Sequence, residues 1–170
     1  MQLDSQLILL GSQTNGVVTP VLVTALGQNK APTAGFNVLD LASLVTGGNQ
    51  AIDEAPGYEL LFQISVNQAL TSGGAATVRF QLLNADDLNL SVNLQVINQT
   101  DDIPIINFTT PQNVPLHWDR AAPYKPRRYV GISILVGTAA LTNASPQFFA
   151  SVVAGFQDLN IFANSGYAIL

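Results

Sequence analysis

Leu88, Leu90, Val92, Leu94 and Val96 alternate with Asn89, Ser91, Asn93 and Gln95. Successive side chains of a strand point to opposite faces, so this period of two predicts a strand over 88–97 with one buried side. The same alternation runs through Tyr58, Leu60, Phe62, Ile64 and Val66, and through Val78, Phe80 and Leu82. Strands are therefore predicted over 58–66 and 76–84. The Ser72-Gly73-Gly74 segment between them reads as a hairpin connection. Further strands are predicted over 3–10, 103–108, 128–136 and 147–157. The run 17–26 is β-branched, but Pro20 marks an edge or a break.

The intervening segments carry turn chemistry. Residues 11–16 are small and polar, 27–35 are punctuated by Gly, Asn and Pro and read as a flexible loop, and 46–57 and 137–146 read as loops. Residues 37–45 suit either a short strand or one helical turn. Pro111, Pro115, Pro123 and Pro126 make a regular interior element improbable over 109–126. No segment keeps a 3.6-residue period beyond two turns. About eight short strands with long connections predict an all-β fold, an antiparallel jelly-roll-like sandwich with Greek-key crossings. The sandwich is expected to span 1–158, followed by an extended C-terminal tail, 159–170.

Composition sharpens this picture. Of the 170 residues 48% are apolar, enough for a full core, but only 10% are charged, against about 25% in an average soluble domain. Asn, Gln, Ser and Thr fill the outward positions, so little charge repulsion separates copies of the molecule, and a homodimer or other small symmetric oligomer is expected. The net charge of -5 argues against a nucleic-acid partner, which would demand clustered Lys and Arg. The absence of cysteine removes disulfides, thiolate metal sites and cysteine nucleophiles together. No basic segment precedes the apolar residues 7–10, and no apolar run reaches the 18 or so residues of a membrane span. A soluble protein made in the cytoplasm, with no membrane partner, is expected.

Candidate chemistry is thin. His117 beside Trp118, Asp119 and Arg120 offers a base, an aromatic wall and a carboxylate. A single histidine with no cysteine supplies neither a metal set nor a triad, so loop packing or an interface contact is the plainer reading. Asp86-Asp87 and Asp101-Asp102 could hold calcium or serve sugar hydrolysis, but they lack the spacing of a calcium loop and read as turn residues. Tyr124, Lys125, Arg127, Arg128 and Tyr129 gather three of the six basic residues. The patch suits single-stranded nucleic acid, a protein contact, or the blunting of an exposed edge. No catalytic residue, cofactor or metal site is assigned. The termini and the 109–126 loop carry apolar side chains whose exposure would be unfavourable, and Trp is favoured at interface centres. The candidate interface residues are Leu7, Ile8, Trp118, Tyr124, Arg127, Arg128, Tyr167, Ile169 and Leu170.

The opening Leu3-Asp4-Ser5-Gln6-Leu7, the segment Arg127-Arg128-Tyr129-Val130-Gly131-Ile132, the Gly137-Thr138 turn and the closing segment 147–158 resemble, in order and spacing, the Bbp16-type capsid cement (decoration) proteins of tailed bacteriophages. The resemblance is carried by the two ends of the chain more than by its middle. The chain departs from the pattern over 27–57 and after Asp158. The resemblance implies a jelly-roll protein on the outside of an icosahedral head, acting as a dimer, bridging neighbouring major capsid subunits and doing no chemistry.

Three functions are compared on this basis. The first is a virion structural protein, located on the capsid exterior, whose partner is the major capsid protein. The alternative is a carbohydrate-binding jelly-roll module for host attachment, for which one Trp and four Tyr give little material. A hydrolase on a β-scaffold fits least, because no base–nucleophile pair can be named.

Overall fold

The computed structural model describes residues 8–40, 60–118 and 127–153. Its strands are β1 (Ile8–Leu10), β2 (Ser12–Thr14), β3 (Val17–Thr19), β4 (Gly27–Asn29), β5 (Val38–Asp40) and β6 (Leu60–Val66). They continue with β7 (Thr77–Ala85), β8 (Gln95–Gln99), β9 (Ile103–Pro104), β10 (Gln112–Trp118), β11 (Tyr129–Gly137) and β12 (Phe148–Val153). A single 3-10 turn, Ile105–Asn107, follows β9.

One sheet has the order β1-β12-β6-β10 and the other β4-β11-β7-β8, with every pairing antiparallel. β5 pairs with Tyr129–Gly131 of β11 and β4 with Ile134–Val136, so the two occupy one flank as an interrupted strand. β8 and β9 do the same along β7. Counting each interrupted strand once leaves two sheets of four, joined in the order of a jelly roll. The expected all-β sandwich is the observed fold.

Period-two burial explains the core. Phe62, Ile64 and Val66 of β6 and Phe148 and Ala150 of β12 meet Val78, Phe80 and Leu82 of β7 and Val130, Ile132, Ile134 and Val136 of β11 in one buried cluster. The Phe80 ring, on one sheet, packs edge-on against Phe148 of the other at 5.9 Å and against Phe108 at 6.1 Å. Such pairs add about 0.5–1.5 kcal/mol beyond area burial. Where the chain near Val23 has no regular strand, the buried Gln147 amide takes over the ladder. Its Nε2 donates to the Val23 carbonyl at 2.8 Å, and its Oε1 accepts from the Val23 amide at 3.4 Å.

Several sequence expectations are corrected. The segment 88–97 is not a strand along its length: only Gln95–Gln99 pairs with β7. β6 and β7 do not form a hairpin, because they lie in different sheets and the intervening residues cross between them. Residues 109–126 were expected to lack regular structure, yet Gln112–Trp118 forms β10 in full register with β6, from Gln112↔Val66 to Trp118↔Leu60. Pro115 is tolerated because β10 is an edge strand. Residues 27–35 are no loose loop either, since β4 pairs with β11 and the following turn is closed by a Thr33 amide bond to the Lys30 carbonyl at 3.0 Å. Within 11–16 the chain starts a small hairpin, β2–β3. Its Asn15-Gly16 turn has φ of 51° and 81°, the two positive angles that a two-residue hairpin turn matching strand twist requires. The tail 159–170 lies outside the described residues.

Candidate interaction surface

The outward face of the β4-β11-β7-β8 sheet is built on a glycine. β11 turns Val130 and Ile132 inward, so Gly131 faces out, level with Val38, Leu83 and Val96 of the neighbouring strands. Leu90 fills the space this glycine leaves: a Cβ at Gly131 would stand 2.6 Å from Leu90 Cδ1. Leu90 is fully buried although its φ is +51°, a conformation a branched side chain adopts only when its surroundings dictate it.

The Leu90 side chain joins the apolar core, and polar contacts fix the backbone of the loop that carries it. Asp87 Oδ1 accepts from the backbone amides of Val92 at 2.7 Å and Ser91 at 2.8 Å, and Oδ2 accepts from the Asn89 amide at 3.2 Å and the Ser91 hydroxyl at 2.8 Å. Lys30 Nζ donates to the carbonyls of Asn89 and Leu90, each at 2.9 Å. Asn93 Nδ2 donates to Asp86 at 2.8 Å. The 86–94 segment is thus folded flat on the sheet, and Leu90 alone of its apolar residues points in. Leu88 (59%), Val92 (51%), Leu94 (36%) and Val96 (37%) are left exposed. Beside these residues the outer face carries amides, with Gln28 donating to Gln81 at 3.2 Å and Gln81 to Gln99 at 2.8 Å, and next to them the Arg79–Asp102 ion pair.

The amides of Val92, Ser91 and Asn89 hold the Asp87 carboxyl down at about 2, with the Val92 bond the largest cause. A carboxylate with a lowered native pKa favours the folded loop above its ordinary value of 3.8, and that contribution disappears as pH falls through about 2. Protection of the Ser91 and Val92 amides from hydrogen exchange is therefore expected to fall between pH 4 and 2, over the range set by the 3.8 and 2 values, and Asp87→Asn is expected to remove that pH dependence. An Asp87 titration midpoint at or above 3.8 would contradict the capped loop.

The sequence-derived candidates fall into three groups. Leu7, Tyr124, Tyr167, Ile169 and Leu170 lie outside the described residues, as do Asp119, Arg120 and Lys125. Ile8 and Trp118 are 2% and 3% exposed, so the expectation that they are bare on a free monomer is corrected. Trp118 alternates inward with Leu116 at the end of β10 and belongs to the core. Arg127 and Arg128 are brought together where β11 begins. Arg127 Nη1 pairs with Asp86 at 2.6 Å, and Arg128 makes a two-pronged contact with Asp40 at 2.9 and 2.8 Å while lying 5.0 Å from the Tyr129 ring centre. Both cations are paired with carboxylates of the fold, and because β11 is paired on both sides, by β5 and by β7, the expectation that they blunt an exposed sheet edge is corrected.

His117 faces outward between Leu116 and Trp118, and its carbonyl accepts from Asn98 Nδ2 at 2.8 Å. Asp102 is paired through both oxygens with Arg79 at 2.7 and 3.1 Å. Among the described residues no three His, Asp or Glu side chains are grouped to hold a metal ion, and no helix is long and apolar enough to cross a membrane. The exposed apolar run 88–96 was missed because its alternation mimics a strand. The competing signal is the run of Asp86, Asp87, Asn89, Ser91 and Asn93, short polar side chains that bond their own backbone in preference to a ladder.

The described residues define a jelly-roll sandwich whose outer surface is partly apolar and carries few charges, several of them in ion pairs. A family model, Bbp16, matches residues 25–152, and the chain belongs to that family. The family assignment points to a phage-related protein. The match runs through the middle of the sandwich, including 27–57, where the sequence reading placed a departure from the pattern, and it begins after the opening Leu3–Leu7 segment and β1. No curated protein matches the chain at a significant level.

Proposed function

We propose that the protein is a capsid cement protein, bound to the outside of a tailed-phage head and bridging neighbouring major capsid subunits, and that it carries out no chemistry. The observation that carries this reading is the Bbp16 match across the sandwich. The exposed Leu88, Val92 and Leu94, on a loop tied down by hydrogen bonds to Asp87 and Lys30, support it, because apolar side chains on an already ordered loop bind without the entropy cost of ordering it. A cement protein works by burying surface on two subunits at once, so that separating them must expose it. Stable contacts of this kind commonly bury roughly 1,200–2,000 Å². The carbohydrate-binding alternative loses its strongest residue, since Trp118, the chain's one tryptophan, is buried in the core.

The test is reconstitution. Purified protein added to heads lacking it is expected to bind to saturation in fixed ratio to the major capsid protein and to raise the temperature at which the heads break open. Absence of saturable binding, or binding with no change in that temperature, would contradict the reading.

A further inference from the structure

The residues that join β6 to β7 cross one end of the sandwich, and between them and the 3-10 turn after β9 lies a cleft of about 670 Å³. Leu70 and Ala76 are its buried lining, and Ala75 and the 74% exposed Ile106 are part of its exposed lining. The side chains around it are apolar except for the hydroxyls of Thr77 and Thr109. Sites that enclose small groups commonly measure about 300–1,000 Å³, so a large side chain fits. The walls are already tied together. The Leu70 amide donates to the Phe108 carbonyl at 3.0 Å, the Ile105 amide to the Ala76 carbonyl at 3.1 Å, and the Thr138 hydroxyl to the Ala75 carbonyl. Filling the cleft therefore costs little ordering of its walls.

Its electrostatics select the kind of group that enters. Residues 67–77, 103–112 and 137–147, which meet at this end, contain no Asp, Glu, Lys, Arg or His. At the border stand Asp101 and the Arg79–Asp102 pair, closed on itself at 2.7 Å. A charged group entering the cleft would lose water and gain no counter-ion, whereas an apolar one is stabilised by burial. Asp40, Leu60, Trp118 and Val153, where described stretches of the chain begin or end, lie at the opposite end of the strands.

The capsid reading, on which this inference rests, requires two separated contact surfaces on one molecule. The exposed Leu88, Val92 and Leu94 supply one. Val96, which follows them, stands opposite Leu83 of β7, whereas the cleft lies at Thr77 of the same strand. Along an extended strand those two positions are about 20 Å apart, at about 3.3 Å per residue. Surfaces so placed can engage two neighbours, and once one is attached the other binds at a high effective concentration.

We propose that the cleft is the second attachment point and that it takes a large apolar side chain, an aromatic or a leucine, presented by a neighbouring major capsid subunit.

The direct test places p-benzoylphenylalanine at Ile106 and photolyses the protein on reconstituted heads. A crosslink to the major capsid protein is expected. A crosslink only to residues 154–170 of this chain, a crosslink only to a second copy, or no crosslink would overturn the proposal. Ile106→Asp and Ala75→Arg, which bring opposite charges to the cleft, are each expected to bind heads at least about tenfold more weakly than the wild type and to lose the rise in head-opening temperature. If the wild type binds and stabilises heads and both variants do so equally well, the cleft proposal is wrong and the capsid reading stands. If the wild type does not bind at all, both are wrong. Melting curves check that each variant is folded, with Ile106→Ser and Ala75→Ser replacing any that is not.

Discussion

Trp118→Ala is expected to lower the unfolding free energy by about 3–5 kcal/mol, the usual result of removing a large aromatic from a packed interior. The side chain is 3% exposed and belongs to the cluster that joins the two sheets. It also sits at the last rung of the β10–β6 ladder, opposite Leu60, so its loss should fray that edge as well as leave a cavity. The magnitude decides between two roles. A tryptophan anchoring a partner would leave the isolated protein almost as stable as before and weaken only binding. A buried one destabilises the isolated chain directly. Denaturant unfolding of the purified variant measures the difference, and a loss below about 1 kcal/mol would return Trp118 to the surface.

Leu90→Ala is expected to cost about 2–5 kcal/mol, a large effect for a residue within a surface loop. Leu90 is fully buried over Gly131, so truncation removes an apolar contact that presses the 86–94 segment onto the sheet. Leu90→Gly provides a sharper check. Glycine normally costs more than alanine in a folded segment, but at a φ of +51° it relieves about 1–2 kcal/mol of steric strain. Leu90→Gly is therefore expected to be no less stable than Leu90→Ala. A clear order in the other direction, by denaturant unfolding, would show that the left-handed backbone at this position is wrong.

These two residues mark where the sequence was legible and where it was not. The sandwich could be read because β6, β7, β11 and β12 keep their apolar residues at every second position over six to nine residues. That pattern fails only if the strands themselves fail. The pairing of β6 with β10 and β12 could not be read, since a run of short strands does not state which sheet each joins. Proline density misplaced β10, because an edge strand can spare an amide where an interior one cannot.

The 88–97 alternation misled for a different reason. Asp87 captures three backbone amides that a strand would have spent on its neighbour, and local capture defeats periodicity. The apolar residues this leaves outside form the most distinctive surface of the described protein, and nothing in their types separates them from a core. The Asn15-Gly16 pair, lying between residues able to form strands, carries the signal of a two-residue hairpin turn, which reading 11–16 as no more than a small, polar turn segment passes over.

The central claim, that the chain is a stoichiometric component of a phage head, is tested most directly by quantitative mass spectrometry of purified virions. The account predicts this protein in fixed ratio to the major capsid protein, retained through washing and density-gradient purification. Its absence from intact virions, or its presence at only a trace of the capsid-protein amount, would contradict it.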